Sequence, residues 1–312
     1  MRDIRTIGIV GTGVIGASWA AYFLAKGFDV RATDPAADAE PKLRKAIAAH
    51  WPVLTQLGVA EGASQERLVF HADLEKAAVG CDFVQENGPE RAEIKENLFS
   101  RLDAVLPAEV ILASSSSGLP MTPVQAACRF PERIMLGHPF NPPHLIPLVE
   151  VVGGQKTSDE MIETAMTFYA AIGKKPIRLR RELRGHIANR LQAALWREVF
   201  HLVDIGAAAV ADIEVAIAHG PGRRWGALGP FAHLHLSGGE GGIADLLGHL
   251  GGPIESWWDD LGAPRMSPLL TARVAEQTNA YYGASIMAEL GGWRDRIVVD
   301  LLKAKANEGD VY

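Results

Sequence analysis

The feature that most constrains the fold of this chain is a glycine-rich turn near its amino terminus. An apolar, β-branched run ends in Gly-x-Gly-x-x-Gly at Gly11, Gly13 and Gly16, and a helical segment of small residues follows. The first glycine allows the tight turn, the second lets a pyrophosphate approach the backbone, and the third brings the helix close to the strand. The helix N-terminus then offers free N–H groups to the phosphates. Together with Val14 and Ile15, these glycines form the predicted dinucleotide-binding turn.

An acidic residue follows the next predicted strand, which spans residues 28–33. Asp34 stands at its end, roughly 20 residues beyond the last glycine, where such folds place a carboxylate against a ribose 2′-hydroxyl. That carboxylate would repel the 2′-phosphate of NADP, so we expect NAD as the cofactor. The alternative is that Asp34 only begins a turn before Pro35.

Strand and helix patterns then alternate, which is typical of a doubly wound sheet. The predicted strands lie at residues 68–70, 82–86, 110–113, 134–139 and 148–152 and near Ile177, and the predicted helices at residues 38–57, 74–79, 90–106 and 158–172. The helix at 90–106 carries Ile94, Leu98, Leu102 and Leu106 as an amphipathic stripe. The fold class is therefore α/β, with an N-terminal Rossmann-type, mostly parallel sheet.

The carboxyl-terminal part of the chain shows only helical patterns, so an all-α domain follows the sheet. Helices are predicted at residues 189–203, 210–219, 266–282 and 286–306, with a further helix opened by the glycines at 238–242. We interpret residues 220–231, which are rich in glycine, as a crossing segment. The predicted domains are residues 1–184 and residues 185–312.

Composition and charge narrow the class of protein. The 312 residues are 48% hydrophobic and 22% charged, with a formal net charge of −6, which gives no basic surface for nucleic acid. No apolar run approaches the roughly 20 residues of a membrane span. The first strand begins too early for a signal peptide, and Cys81 and Cys128 show no metal-ligand spacing. We expect a cytoplasmic protein with two free thiols, and neither a metal, a nucleic-acid partner nor a membrane.

Ligands of such sheets bind beyond the carboxyl ends of the strands. Two polar segments fall at this edge. The first comprises residues 86–91, with Lys95 one turn into the following helix, and the second is the serine run at residues 114–117 followed by Gly118. The hydroxyl groups of the serine run can donate to and accept from a nicotinamide ribose or a substrate oxygen. A flexible loop is the alternative interpretation of that run.

A histidine and an acid come from neighbouring strands. His138 leaves the strand 134–139 and enters a proline-rich turn, and Glu150 lies on the strand 148–152. A carboxylate on one imidazole nitrogen selects the tautomer and raises the basicity of the other nitrogen. The pair is therefore a candidate base for taking a proton from a hydroxyl while a hydride leaves for the nicotinamide.

These residues resemble the NAD-dependent 3-hydroxyacyl-CoA dehydrogenase family over nearly the whole chain. The resemblance rests on five segments in the family's order: residues 11–16, residues 86–90 with Lys95, residues 114–117, residues 138–142 with 148–151, and residues 185–190. It implies that His138 is the general base and that Glu150 orients it. It also implies that Ser117 and Asn189 hydrogen-bond the reacting oxygen, and that the cofactor site is lined by Glu90, Lys95, Ser115 and Asn141.

Two departures from the family pattern put an acyl-CoA substrate in doubt. Where the family often reads Pro-Gly-Phe, this chain has Arg184, Gly185 and His186, and the serine loop differs from the acyl-CoA enzymes at Ser115 and Gly118. The helical half is more similar to the subgroup of lambda-crystallin (L-gulonate 3-dehydrogenase) and the bacterial L-carnitine dehydrogenases. That resemblance implies oxidation of a small free 3-hydroxy acid to a 3-keto acid, and a homodimer formed through the helical domain.

The substrate-binding residues of the helical domain are harder to assign. Arg223 or Arg224 can clamp a carboxylate through a bidentate fork, and Trp225 can offer a ring face to a quaternary ammonium group. Solvated charges and core packing are the alternative interpretations of these residues. Two other functions stay open: a 3-hydroxyacyl-CoA thioester as substrate, and a crystallin-like structural protein that binds NAD without turnover.

Overall fold

A computed structural model describes residues 4–283 and 286–309 of the chain. The chain divides into two compact units, Met1–Arg190 and Leu191–Tyr312. The first unit contains eight strands: β1 (Thr6–Val10), β2 (Asp29–Thr33), β3 (Leu68–Phe70), β4 (Phe83–Glu86), β5 (Ile111–Ser114), β6 (Ile134–Pro139), β7 (Leu148–Gly153) and β8 (Lys175–Leu179). Its helices are α1 (Val14–Ala25), α2 (Ala39–Leu57), α3 (Leu74–Ala78), α4 (Ala92–Val105), α5 (Met121–Gln125) and α6 (Asp159–Ala171).

The strands form one sheet in the order β3-β2-β1-β4-β5-β6-β7-β8. The pairs from β3 to β6 are parallel, β7 is antiparallel to β6, and β8 is parallel to β7. The carboxyl ends of β1, β4, β5 and β6 therefore meet at one edge of the sheet, and β7 begins at that edge. This reversal places residues of β7 beside the end of β6.

Both faces of the sheet are covered, as a doubly wound fold requires. Successive residues of β5 point to opposite cores: Ile111 packs with α1, α2 and α6, whereas Leu112 packs with α3, α4 and α5. The continuous apolar strands follow from this burial on two sides. The predicted fold class, a mostly parallel Rossmann-type sheet followed by helices, is confirmed.

The second unit is helical. The helices of this part of the chain are α7 (Ala188–Asp204), α8 (Val210–His219), α9 (Pro221–Ala227), α10 (Pro230–Ser237), α11 (Gly242–Asp260), α12 (Pro268–Tyr282) and α13 (Met287–Glu308). Within the described residues its buried apolar cluster is small, with Val203, Val210 and Leu270 at its centre. None of the helices in residues 4–283 and 286–309 is both long and apolar enough to cross a membrane.

The interpretation of residues 220–231 as a crossing segment was wrong, because the segment forms α9 and the start of α10. Two of the glycines stand directly before a helix, Gly220 before Pro221 and Gly229 before Pro230, whereas Gly222 and Gly226 lie within α9. Proline suits the first position of a helix, since its ring presets φ and the missing N–H has no intrahelical partner there. The high glycine content therefore suggested a crossing segment, whereas the residues form two short helices, each with proline in its first turn.

Candidate active site

The glycine-rich turn has three different steric requirements at its three glycines. Gly11 adopts φ of +85°, and a Cβ there would lie 2.8 Å from the backbone of Asn87. A Cβ at Gly16 would lie 1.9 Å from the carbonyl oxygen of Gly11, so the close approach of α1 to β1 needs glycine. At Gly13 the added Cβ would meet nothing within 4 Å. This open space lies at the N-cap of α1, whose first turn carries no acidic side chain.

Asp34 holds the turn in place from the end of β2. One carboxylate oxygen, Oδ2, accepts hydrogen bonds from the backbone N–H of Thr12 at 2.8 Å and from its hydroxyl at 3.2 Å. The other oxygen, Oδ1, accepts from the N–H of Ala36 at 3.0 Å. An ionised carboxylate accepts about four hydrogen bonds, so Asp34 retains capacity for a ligand hydroxyl.

A cavity of about 590 Å³ opens beside this turn. Its walls combine the turn itself and Asp34 with the apolar side chains of Ile94 and Leu98. Arg101 also lines the cavity, but its guanidinium is engaged by both oxygens of Glu75 at 2.7 and 2.9 Å. The open cradle at Gly13, the apolar wall and the carboxylate fit a nucleotide whose ribose carries hydroxyl groups only.

A buried ion pair supports the ends of β4 and β5. The Lys95 ammonium group donates to both oxygens of Glu86 at 2.9 and 2.8 Å, and both side chains are fully buried. Glu86 also accepts from the hydroxyl of Ser114 at 2.6 Å and from the N–H of Gly88. Lys95, predicted to line the cofactor site, is therefore bound within this network, which holds the loops on either side.

The serine loop, residues 114–118, is anchored by Glu90. The carboxylate of Glu90 accepts from the Ser116 hydroxyl at 2.7 Å and from the N–H of Gly118 at 2.8 Å. The hydroxyl of Ser115 donates to the Asn87 side chain at 2.7 Å. The structure thus joins the two polar segments that the sequence placed at this edge, and the loop is held rather than flexible.

His138 and Glu150 lie directly opposite each other in the antiparallel pair of β6 and β7. The Nδ1 atom of His138 is 2.8 Å from Oε2 of Glu150, and both side chains are buried. An ionised carboxylate only accepts hydrogen bonds, so Nδ1 carries the proton and Nε2 keeps its lone pair. The pairing expected from the sequence is present.

The second oxygen of Glu150 is bound by the start of α7. Oε1 accepts from the backbone N–H groups of Ile187 at 2.8 Å and Ala188 at 3.0 Å. Burial alone would raise the pKa of Glu150, but the hydrogen bonds from His138 and from these two N–H groups outweigh it, and the pKa is lowered from its ordinary 4.5. The carboxylate is therefore ionised at neutral pH and ready to stabilise a positive imidazole.

Three predicted site residues lie around this centre with less burial. Ser117 and Asn141 are exposed, and Asn189 is half-buried in the first turn of α7, next to the residue that donates to Glu150. Arg223, Arg224 and Trp225 lie on α9 of the second unit, where Arg223 donates to the ring of His219 at 2.9 Å. The described residues contain no group of three or more His, Cys, Asp or Glu that could hold a metal ion.

Several residues that build the site were not assigned a role from the sequence. Glu86 and Asn87 belong to a segment already noted as polar, so their position after β4 was a usable signal. Thr12 lies within the glycine-rich turn and His186 within the segment that departs from the family pattern, but their partners, Asp34 and Ser116, are 22 and 70 positions away in the chain. The Nε2 of His186 lies 3.1 Å from the carbonyl oxygen of Ser116.

The glycine turn of a dinucleotide-binding fold, the acid that follows β2 and the buried His–Glu pair together define the class of this protein as an NAD-dependent oxidoreductase. Comparison with known proteins gives its family. Residues 6–183 match the model of the 3-hydroxyacyl-CoA dehydrogenase NAD-binding domain, and residues 185–255 match that of the 3-hydroxyacyl-CoA dehydrogenase C-terminal domain. The chain belongs to the 3-hydroxyacyl-CoA dehydrogenase family.

Two relatives and one solved structure illustrate the similarity. The chain is 52% identical to an L-carnitine dehydrogenase of Streptomyces griseus over 304 residues, 97% of this chain and 90% of that protein. It is 43% identical to an L-carnitine dehydrogenase of Pseudomonas aeruginosa, covering 100% of this chain and 98% of that protein. Among solved structures, the chain is similar to 5-formyl-3-hydroxy-2-methylpyridine 4-carboxylic acid 5-dehydrogenase, an NAD⁺-dependent dismutase. The TM-score is 0.83 and the identity 29%, and the match covers 98% of this chain and 99% of that one.

The Glu150→Gln variant tests the charge of the buried carboxyl. The native pKa of Glu150 is lowered, so ionisation stabilises the fold above the unfolded-state pKa and this contribution is lost as the pH falls through the native pKa. We expect the difference in unfolding free energy between wild type and variant to be largest above about pH 5 and to narrow below it. Urea unfolding across a pH series measures this difference. Glu255→Gln, at an exposed site on α11, is the control. If wild type and Glu150→Gln differed as much in unfolding free energy at about pH 3 as at neutral pH, the result would contradict an ionised Glu150 in the native protein.

Proposed function

We propose that this chain oxidises the 3-hydroxyl group of L-carnitine with NAD, giving the 3-keto acid. The observation that carries the proposal is near-complete coverage at 52% identity by a protein that is an L-carnitine dehydrogenase. The geometry supports the reaction type, since a base with a free nitrogen lies at the edge of a dinucleotide fold. L-carnitine is a free 3-hydroxy acid, the substrate class expected from the sequence.

His138 acts as the general base in this proposal. Its Nε2 accepts the proton of the 3-hydroxyl, and the electrons of the broken O–H bond form the carbonyl as the C3–H bond breaks. A nicotinamide bound at this edge of the sheet would supply the acceptor for the hydride that leaves C3. Glu150 stays ionised and stabilises the imidazolium that forms, because its own pKa is lowered. Ser117 and Asn189 hydrogen-bond the reacting oxygen while charge develops on it.

The residues that we propose to bind the cofactor lie at the same edge of the sheet. Asp34 is proposed to bind the adenosine ribose, and the turn with Gly11, Gly13, Val14, Ile15 and Gly16 is proposed to bind the pyrophosphate. Four residues are proposed to line the nicotinamide half: Glu90, Lys95, Ser115 and Asn141. Since the Lys95 ammonium is held by Glu86, Lys95 contributes by fixing the loop of Gly88. For the substrate, the roles of Arg223, Arg224 and Trp225 stay predictions.

The family to which the chain belongs supports a second candidate class of substrate. The matched models are those of 3-hydroxyacyl-CoA dehydrogenases, so a 3-hydroxyacyl-CoA thioester is the second candidate. The same proton and hydride transfers would apply to it, since the His–Glu pair contacts only the alcohol. L-gulonate, a free acid suggested by the resemblance of the helical half, is the alternative within the first class.

We also propose a cytoplasmic homodimer formed through the helical unit. That unit buries few apolar side chains, and several of its large ones are exposed: Phe231 at 75%, Leu269 at 70% and Trp258 at 64%. Large exposed apolar side chains of this kind are suited to burial in an interface between two copies of the chain. The family resemblance makes a second copy of the chain the expected occupant.

Substrate choice is tested by following NADH absorbance with L-carnitine, L-gulonate and 3-hydroxybutyryl-CoA. We expect kcat/KM for L-carnitine to exceed the other two by at least about 100-fold, because a pocket built for one set of charged groups discriminates strongly. Replacing NAD by NADP is the matched control for the cofactor and should abolish most turnover. Comparable rates with the CoA thioester would favour the second candidate.

The His138→Ala and Glu150→Gln variants test the proposed base. Alanine removes the acceptor, and glutamine presents an N–H to Nδ1, which moves the ring proton to Nε2 and blocks that nitrogen. Both changes should lower kcat by about 10² to 10⁴, with the NAD dissociation constant within a few-fold of wild type. His249→Ala, at an exposed site on α11, is the control. Near-normal kcat in either test variant would refute the assignment.

The oligomeric state is measured by light scattering on purified full-length protein. We expect a mass twice that of the 33.6 kDa chain. Phe231→Glu places a charge on the exposed apolar surface of the helical unit and should shift the protein toward monomer, whereas Val59→Glu on the first unit should not. A monomer at every concentration of the wild-type chain would contradict the proposal.

A further inference from the structure

His186 is an unusual residue at the edge of the active site. Its side chain is buried, and its backbone has φ of +50°, in the left-handed region. Among residues 4–283 and 286–309, it is the one non-glycine residue with positive φ. Backbone of this kind persists where surrounding contacts determine it, and it concentrates at functional sites. The preceding residue, Gly185, also has positive φ, at +76°.

The ring of His186 lies between two parts of the site. Its Nε2 donates a hydrogen bond to the carbonyl oxygen of Ser116 at 3.1 Å. Its centroid is 5.0 Å from that of His138, at an interplanar angle of 55°. The next two residues donate their N–H groups to Glu150. Residues 186–188 therefore contact both the serine loop and the His138–Glu150 pair.

The protonation state of His186 follows from these contacts. The Ser116 carbonyl can only accept, so Nε2 carries a proton and Nδ1 of the neutral ring has a lone pair. Burial lowers the pKa of His186, and the nearby ring of His138 lowers it further, whereas Ser116 and Glu150 act in the opposite direction. The environment of His186 therefore favours the neutral ring.

Packing alone does not explain an imidazole at this position. Nδ1 of His186 is buried and has no hydrogen-bond partner among the described residues. A phenylalanine would fill similar space without burying an unpaired lone pair, which is unfavourable in an apolar setting. The one contact that a phenylalanine could not supply is the hydrogen bond to Ser116.

We propose that His186 is a positioning residue that fixes the serine loop relative to His138. Glu90 holds this loop from the nucleotide side, and His186 holds it from the side of the base. With both anchors in place, Ser117 is presented at a constant distance from His138. This inference rests on the proposed function for the role of Ser117, but the anchoring of the loop is a separate physical statement.

The test compares His186→Phe with His186→Gln in the full-length protein. Phenylalanine keeps a ring and loses the donor, whereas glutamine keeps an N–H donor at a reach similar to that of Nε2. Amide hydrogen exchange of residues 114–118 is the first readout and needs no substrate. We expect faster exchange in the phenylalanine variant and near-wild-type exchange in the glutamine variant.

Kinetics give the second readout. The phenylalanine variant should lose about 10- to 100-fold in kcat, because a misplaced catalytic group slows the chemical step. Its NAD dissociation constant should stay within about twofold, since the Glu90 anchor remains, and its primary deuterium isotope effect with 3-deuterated L-carnitine should rise. The glutamine variant should recover most of the lost kcat.

The outcomes separate this inference from the proposed function. The inference would be overturned if His186→Phe left both the amide exchange of residues 114–118 and kcat unchanged. It would also be overturned if His186→Gln changed the exchange and kcat as much as His186→Phe does. A wild-type enzyme that is inactive on L-carnitine would refute the proposed substrate only, since the exchange experiment still reports the anchor. If His186→Phe fails to fold, His186→Asn replaces it, because asparagine tolerates left-handed backbone but is too short to reach Ser116.

Discussion

The site depends on how the buried charge of Glu150 is satisfied. A carboxylate with no solvent exposure is costly unless hydrogen bonds and a compensating charge surround it. Glu150 receives one bond from His138 and two from the N–H groups that begin α7. The positive end of that helix adds to the stabilisation. One side chain thus joins β7, His138 on β6 and the helix that carries Asn189.

Other carboxylates along the carboxyl edge of the sheet also accept hydrogen bonds from backbone N–H groups. Each of four carboxylates accepts a backbone N–H at this edge: Asp34 from Thr12, Glu86 from Gly88, Glu90 from Gly118, and Glu150 from Ile187. The bond to Glu86 is local, since Gly88 is two residues further on, whereas the other three join segments more than 20 residues apart. Charge-assisted bonds of this kind are short and strong, and they restrict the loops without a large apolar contact. These bonds tie the loops of the site to the elements around them beyond the ends of the strands.

The reversal of β7 is what makes the His–Glu pair possible. In an antiparallel pair two residues lie directly opposite each other, and the register pairs His138 with Glu150. A parallel strand in this place would need a crossover connection of a dozen or more residues, far longer than the turn between β6 and β7. The proline-rich turn after His138 therefore matters for the geometry of the site, because it returns the chain beside the imidazole.

The features of the fold and of the site that depend on residues close together in the chain were predictable from the sequence. Strand and helix periods, the glycine turn and the short link between β6 and β7 each act within a few residues, so the fold class and the His138–Glu150 contact followed from the sequence. The partners of His186 and Asp34 lie 70 and 22 positions away, and such contacts depend on sheet register and loop path. Residues 220–231 were misread for another reason, because glycine before a helix and glycine within a loop look alike until the prolines are considered.

The fold by itself does not decide the substrate. An NAD⁺-dependent enzyme for a substituted pyridine carboxylic acid shares this architecture over 98% of the chain. In the proposed reaction the His–Glu pair would need only an alcohol, or its equivalent, within reach of Nε2, whatever groups are attached beyond the reacting carbon. Discrimination among free acids, thioesters and ring compounds must therefore arise from side chains outside the pair. That is why identity to proteins of one named activity carries more weight for the substrate than the shared fold does.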